Sequence, residues 1–265
     1  MTTTQHGNVK TSDGISIHYT DTGEGRAIVL IPGWLSEATI WEHQITELSK
    51  RYRVIAIDPR SQGESDKPST GHLPEDRARD YKDVVDALGL KQPVMVGWSM
   101  ACGELMSYVE QFGDDELGGI VLVDGLLPPD KNPDVIPILA YFTNLLQKNR
   151  QQAIDEFIPF WYKTEQSESY LDFVKGTTEK VPTNSAVALM HNMVSNNDLT
   201  GAFARLTRPV IFAYQDLLQG GAEYLKSQLG DKIQLERFAN EGHALFVDNP
   251  TKFNDMIETF IRRLP

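Results

Sequence analysis

The stretch Val94-Met-Val-Gly-Trp-Ser-Met-Ala-Cys-Gly103 decides the fold, because it predicts a buried strand that turns abruptly into a helix. The apolar run before Gly97 is typical of a strand that is covered on both faces. Ser99 stands between two small residues, Gly97 and Ala101. So tight a turn needs small flanking residues, and it lifts the serine hydroxyl to the edge of the sheet, at the positive end of the helix. The pattern therefore makes Ser99 a candidate nucleophile rather than a simple helix N-cap.

Other short apolar runs, bounded by turn residues, predict the remaining strands. Helical patterns lie between them, and the clearest is C-terminal, where apolar residues recur at spacings of three and four over residues 253–264. Strands that alternate with helices predict an α/β fold with a doubly wound, mostly parallel eight-stranded sheet. The run at residues 15–19 is expected to pair with residues 8–11 as an antiparallel hairpin at one edge of the sheet. The apolar runs cover residues 15–19, 27–31, 54–57, 94–96, 120–123, 210–214 and 233–238.

The alternation stops over residues 128–206, a segment rich in large apolar side chains that predicts helices joined by loops. Large insertions in α/β folds often lie at the carboxyl ends of the strands, where ligands bind. We therefore expect residues 128–206 to form a helical cap, inserted after strand 6, over a core made of residues 1–127 and 207–265. The aromatic residues expected in a substrate pocket beneath it are Trp34, Trp98, Phe142 and Trp161.

The composition excludes several classes of partner. The 265 residues carry a formal net charge of −12, whereas nucleic acids and anionic membranes are bound by clustered lysine and arginine. One cysteine, Cys102, permits no intrachain disulfide, and no basic leader or apolar stretch of about 18 residues is present. A cytoplasmic protein with a small-molecule partner is expected. No metal-ligand spacing or glycine-rich nucleotide loop appears, so no cofactor or metal is predicted, and the oligomeric state stays open.

Four motifs, taken in this order along the chain, resemble the α/β-hydrolase family. Leu30-Ile-Pro-Gly-Trp34 resembles the family's oxyanion loop, and Asp58-Pro-Arg-Ser-Gln-Gly-Glu-Ser65 resembles its D-x-R-G-x-G-x-S turn. The serine turn comes next, and Asn240-Glu-Gly-His-Ala-Leu-Phe-Val-Asp-Asn-Pro250 resembles the histidine loop before the last helix. Pro32, Ser61 and Ala101 depart from common family residues. The resemblance covers nearly the whole chain and implies the fold more strongly than the substrate.

The resemblance also implies the roles of the reacting groups. His243 is the expected general base, because it alone among six histidines follows the last predicted strand, where the family's base lies. Of the others, His6, His18, His43 and His72 are expected at the sheet edge or the surface, and His191 within the cap. The backbone N–H groups of Trp34 and Met100 are the expected oxyanion hole.

The position of the triad acid departs from the family's usual pattern. In most members the acid follows the seventh strand, about nine residues after the proline that opens that strand. Here that proline is Pro209, and the ninth residue after it is Leu218, which cannot serve as an acid. Asp124 ends the sixth predicted strand beside the Ser99 strand, and some members take their acid there. We predict Asp124 and keep two alternatives: Asp216, two residues early on a short turn, or no acid at all.

These residues predict a serine hydrolase that cleaves a small carboxylic ester or related acyl compound through an acyl-enzyme. The loop at Leu30–Trp34 and the aspartate after the sixth strand also resemble cofactor-independent dioxygenases of this fold, which act on N-heteroaromatic compounds with a His/Asp pair. Three other reactions on the same triad stay open: hydrolysis of a C–C bond, hydrolysis of a lactone and formation of a peroxyacid. A non-catalytic receptor also stays open.

Overall fold

One eight-stranded sheet runs through the protein, for which the computed structural model describes residues 3–195 and 198–264. The strand order is β1-β2-β4-β3-β5-β6-β7-β8, with β1 and β2 antiparallel to their neighbours and all later pairs parallel. The predicted edge hairpin and the doubly wound sheet are confirmed. The strands are Gln5–Lys10, Ser16–Thr22, Ala27–Ile31, Arg53–Ile57, Val94–Trp98, Gly119–Val123, Val210–Tyr214 and Ile233–Arg237.

Helices cover both faces of the sheet. The central strands β3, β5, β6 and β7 are buried at every residue, which is why their sequences are continuous apolar runs without alternation. Successive side chains of a strand point to opposite faces of the sheet and so belong to two separate hydrophobic clusters. One cluster includes residues of α1 and α11, and the other includes residues of α2, α3 and α9. The helices of the α/β core are α1 Glu42–Leu48, α2 Pro74–Ala87, α3 Met100–Phe112, α9 Gln219–Leu229, α10 Leu245–Asp248 and α11 Pro250–Arg263.

Within the described residues, five α-helices lie between β6 and β7, where the sequence predicts the cap. Large apolar residues of α4, α5 and α7 join the hydrophobic cluster that contains Trp34 and Trp98, so these helices cover the carboxyl edge of the sheet. The last, α8, packs instead against α3 of the core. The division into two domains stays a prediction, and α8 shows that the segment is not uniformly a lid. The five helices are α4 Val135–Lys148, α5 Arg150–Phe157, α6 Glu168–Glu179, α7 Thr183–Ser195 and α8 Thr200–Arg205.

Candidate active site

Ser99 occupies a strained turn between β5 and α3. Its φ of 57° lies in the left-handed region, which non-glycine residues rarely adopt, and its N–H donates to the Val123 carbonyl at 2.7 Å. A Cβ on Gly97 would approach Leu105 to 2.8 Å and the Ala101 carbonyl to 2.9 Å. The turn therefore has room only for small residues on the strand side of the serine, as the sequence pattern predicts.

A chain of short hydrogen bonds joins Ser99 to two distant residues. His243 Nε2 lies 2.9 Å from Ser99 Oγ, and His243 Nδ1 lies 2.7 Å from Asp124 Oδ2. Because a carboxylate only accepts, Nδ1 carries the proton toward Asp124 and Nε2 is left to accept from the serine hydroxyl. The arrangement has the geometry of a nucleophile, a base and an acid that orients the base.

Asp124 is held rigidly at the end of β6. Its φ is 47°, its side chain is buried, and its second carboxylate oxygen accepts from the Gln215 N–H at 2.8 Å. Asp216, the alternative acid, is exposed and pairs with Arg237 at 2.7 Å. Of the two candidates, the structure brings only Asp124 to His243.

The loop after β3 approaches Ser99 from the other side. A Cβ on Gly33 would lie 2.9 Å from Ser99 Cβ, so only glycine permits this approach. The next N–H, that of Trp34, makes no backbone hydrogen bond within the described residues. The Met100 N–H is in the first turn of α3, where N–H groups have no partner within the helix. Both predicted oxyanion donors thus flank the serine.

The family model described as the alpha/beta hydrolase fold matches residues 26–161, from just before β3 to just beyond α5. The chain belongs to this family. The match covers the predicted oxyanion loop, the D-x-R turn, the serine turn and Asp124.

Relatives of this α/β-hydrolase include proteins named as a chloroperoxidase and as an esterase/perhydrolase. A non-heme chloroperoxidase of Streptomyces lividans is 39% identical over 155 residues, and a bifunctional esterase/perhydrolase of Acinetobacter calcoaceticus is 34% identical over 155 residues. Each alignment covers 55% of this chain and 56% of the relative, so the chain matches about half the length of these proteins. An esterase from Exiguobacterium antarcticum superposes with a TM-score of 0.87 at 21% identity, covering 96% of this chain and 98% of that one.

The cavity above Ser99 in the hydrolase is lined mainly by apolar side chains. Its polar lining consists of Ser99, Asp124, His243 and Gln215. Trp34 and Trp98 line it from the core, and both are fixed by hydrogen bonds: Trp34 Nε1 donates to the Ala186 carbonyl at 2.8 Å and Trp98 Nε1 to the His243 carbonyl at 3.0 Å. The remaining lining is Leu126, Val135, Ile138, Leu139, Phe157, Phe160, Trp161, Met190, Met193, Leu217 and Leu218.

The segment between β6 and β7 also holds the histidine loop. The Ala244 N–H, next to His243, donates to the Trp161 carbonyl at 2.8 Å, and the Trp161 ring packs edge-on against Trp98 at 5.0 Å between centroids. Trp161, predicted from sequence as a pocket residue, therefore both lines the cavity and supports the loop that carries His243.

Some predicted residues lie elsewhere. Phe142 is absent from the cavity lining, because its ring is buried against Phe157 at 4.7 Å. His191 is exposed on α7. His72, expected at the edge or the surface, is instead buried, with Nε2 at 2.9 Å from Ser61 Oγ. Its burial was not readable from the sequence, because a loop has no periodicity to mark its inward residues.

Cys102 lies one helical turn past Ser99 and is buried. Its Sγ contacts the Gly97 carbonyl at 3.1 Å, and burial raises the pKa of its thiol far above the ordinary range. It has neither the exposure nor the thiolate character that a reactive cysteine needs.

Sequence reasoning missed the aliphatic part of the lining. Leu126 and Leu139 come from the segment after β6 and Leu217 and Leu218 from the loop after β7, where no motif marks a side chain as facing a ligand. No group of three or more histidine, cysteine or acidic residues is placed to bind a metal within residues 3–195 and 198–264. No helix over these ranges is long and apolar enough to cross a membrane.

Proposed function

We propose that this α/β-hydrolase is a serine hydrolase that cleaves small, uncharged carboxylic esters. The single observation that carries the proposal is the hydrogen-bonded chain from Ser99 Oγ to His243 to Asp124, with distances of 2.9 and 2.7 Å. A serine hydroxyl becomes a competent nucleophile when such a base removes its proton. The esterase names among the relatives support the same chemistry.

The mechanism has two halves. Ser99 Oγ attacks the ester carbonyl while His243 Nε2 takes its proton, and Asp124 stabilises the imidazolium. The N–H groups of Trp34 and Met100 stabilise the tetrahedral oxyanion, and His243 then gives the proton to the departing alcohol. A water molecule, deprotonated by His243, attacks the acyl-enzyme and releases the acid.

The lining of the cavity supports a proposal for the substrate class. Its lining offers neither a cation nor a carboxylate beyond Asp124, which His243 and the Gln215 N–H already occupy. Burying an unpaired charge there would cost more free energy than apolar contact returns. We therefore propose aliphatic or small aromatic acyl groups and no charged substrates.

Peroxyacid formation is a second candidate, favoured by the relatives named chloroperoxidase and esterase/perhydrolase. In this reaction hydrogen peroxide replaces water: its oxygen attacks the acyl-enzyme carbonyl and its proton passes to His243. The bond between the acyl carbon and Ser99 Oγ then breaks, Ser99 Oγ takes the proton back from His243, and the peracid is released. Acetate and hydrogen peroxide with bromide as the oxidisable reporter would measure it.

The test is hydrolysis of p-nitrophenyl esters from acetate to decanoate by the wild type and Ser99→Ala. We expect the variant to lose at least about 10³-fold in kcat with an unchanged melting curve. Retention of more than a tenth of the activity would refute Ser99 as the nucleophile. A fluorophosphonate should label the wild type and not the variant, whereas a receptor would show no labelling in either. Oxygen consumption with a hydroxyquinolone that survives the substitution would instead reveal the dioxygenase alternative.

A further inference from the structure

A fully buried glutamine, Gln62, contacts the oxyanion loop from below. It lies in the turn between β4 and α2, and its side-chain amide nitrogen donates to the Gly33 carbonyl at 2.8 Å and to the Ser36 carbonyl at 2.5 Å. The Gly33 carbonyl and the Trp34 N–H belong to one peptide group. Because that group is planar and trans, its carbonyl and its N–H point in opposite directions. The Gly33 carbonyl also accepts from the Ser36 N–H at 3.3 Å, and the bond from Gln62 is the shorter of the two. Together they fix the direction of the carbonyl and so that of the Trp34 N–H.

The orientation of the glutamine amide is itself determined. Its Oε1 accepts from Arg77 Nη1 and Nη2, each at 3.2 Å. A guanidinium only donates and a backbone carbonyl only accepts, so the amide cannot flip without losing these contacts on both sides. The Gly33 carbonyl consequently always faces a donor.

The same network extends to the second oxyanion donor. Arg77 Nη1 forms a buried ion pair with Glu104 at 3.2 Å, and Glu104 lies on α3, the helix that begins at Met100. The Tyr81 hydroxyl also donates to the Glu104 carboxylate, at 2.5 Å. A single buried chain, Gln62–Arg77–Glu104, thus connects the loop that carries the Trp34 N–H to the helix that carries the Met100 N–H.

We propose that Gln62 is a positioning residue of this site: it aims the Trp34 N–H at the developing oxyanion and holds it there before substrate binds. The inference rests on the proposed ester hydrolysis. Accepting a hydrogen bond at the Gly33 carbonyl also polarises the shared peptide group and strengthens its N–H as a donor. The contribution is made to the transition state, where the oxyanion exists, and not to the bound ester.

The experiment compares Gln62→Met and Gln62→Glu with a matched control, Gln44→Met. The methionine removes the hydrogen bonds to Arg77 and those to the Gly33 and Ser36 carbonyls. The glutamate keeps an oxygen that can accept from Arg77, but it replaces the donating nitrogen with a second oxygen that faces the two carbonyls. Gln44 is likewise fully buried, and its amide donates to the Phe246 carbonyl at 3.0 Å and to Asn254 Oδ1 at 3.2 Å, away from the oxyanion loop.

Two readouts separate positioning from a merely structural role. We expect kcat of both Gln62 variants to fall at least about tenfold with KM within about threefold, since loss of a whole oxyanion donor costs about 10²–10³-fold. The inhibition constant of a trifluoromethyl ketone, which forms a tetrahedral oxyanion on serine, should rise by the same factor as kcat/KM falls. Gln44→Met should lower the melting temperature but leave this inhibition constant unchanged.

Other outcomes overturn the inference. If either Gln62 variant that folds keeps kcat within about twofold, measured well below its melting temperature, Gln62 does not position the donor, because a lost donor costs far more. A fall in kcat without a matching loss of ketone affinity would show a different role. Failure of the proposed function is recognised separately, because the wild type itself would then hydrolyse no ester.

Discussion

At the level of single residues, backbone strain is concentrated around the site. Ser99 and Asp124 both have positive φ values, and so does Leu35, beside the predicted oxyanion donor. Non-glycine residues in such conformations cost of order 1–3 kcal/mol each and persist only where the surroundings impose them. At Ser99 and Asp124 the β5–β6–β7 ladder imposes them: the Ser99 N–H donates to the Val123 carbonyl and the Asp124 N–H to the Ala213 carbonyl, each at 2.7 Å.

The assignment of the acid is tested by two substitutions of the same kind. Asp124→Asn should lower kcat by up to about 10⁴-fold, because an amide no longer selects the His243 tautomer that accepts from serine. Asp216→Asn should stay near the wild type, since Asp216 contacts Arg237 and not the histidine. Steady-state kinetics on one ester decide between them, and a large loss confined to Asp216→Asn would contradict the assignment.

At the level of elements, the segment between β6 and β7 and the loop after β7 form the mouth of the cavity. Phe160 and Leu217 both line the cavity and are each 49% exposed, so they stand where it meets solvent. The aromatic lining from Phe157 and Trp161 closes the space behind them. Esters with short to medium acyl chains should therefore react faster than long lipids, and efficient turnover of emulsified long-chain triglyceride would disprove this.

Phe160→Ala should widen the mouth. We expect kcat/KM for p-nitrophenyl octanoate, relative to acetate, to rise by about tenfold, the lower end of what the fit of one methylene group in an apolar pocket is worth. Phe173→Ala is the control, because Phe173 is a cap phenylalanine that is 51% exposed and does not line this cavity. Equal changes in the two variants would show that the mouth does not set chain-length preference.

Substitution by alanine should have opposite effects on the free energy of unfolding at two glycines, one in a helix and one in a strand. Gly176 lies inside α6, where an added Cβ would meet no atom within 4 Å, so Gly176→Ala should raise the free energy of unfolding by about 0.5–1 kcal/mol. Gly97→Ala should lower it, since the added methyl would press on Leu105 and the Ala101 carbonyl. Urea unfolding measures both, and destabilisation by Gly176→Ala would contradict the reasoning.

At the level of the whole molecule, a buried histidine contributes to acid sensitivity. Burial, assisted by the nearby Arg77 and Arg60 charges, lowers the pKa of His72 below its ordinary 6.5. The unfolded chain therefore binds this proton more readily than the folded one. The free energy of unfolding should fall as the pH drops below about 6.5, toward the folded-state pKa, by at most about 1.4 kcal/mol per pH unit from this group.

His72→Gln should reduce that dependence. The measurement is urea unfolding at about pH 7.5 and about pH 5.5, on either side of the ordinary histidine pKa. It compares the wild type with His72→Gln and with a control, His43→Gln, which removes an exposed imidazole. A smaller loss of stability at the lower pH in His72→Gln alone is expected. The same loss in the wild type and His72→Gln would show that His72 does not carry it.

Most of the core was predictable from the sequence for a local reason. Strands buried on both faces need continuous apolar runs, and the runs at residues 27–31 and 210–214 coincide with β3 and β7. The tight turn at Ser99 needs small neighbours, so it too is evident from adjacent residues. These features depend on contacts close in sequence or on burial that composition reports directly.

What only the tertiary structure decided involves residues far apart in the chain. The contact between Asp124 and His243 spans 119 positions, and only the pairing of β6 with β7 brings the Asp124 side chain, rather than that of Asp216, to the histidine. The places of Phe142, buried behind Phe157, and of Gln62, beneath the Gly33 carbonyl, depend likewise on how separate elements pack. Local sequence determines which elements form and which residues have reactive chemistry. The direction of each side chain and its distance from the others arise from packing between elements that are far apart in the chain, so no short stretch of sequence determines them.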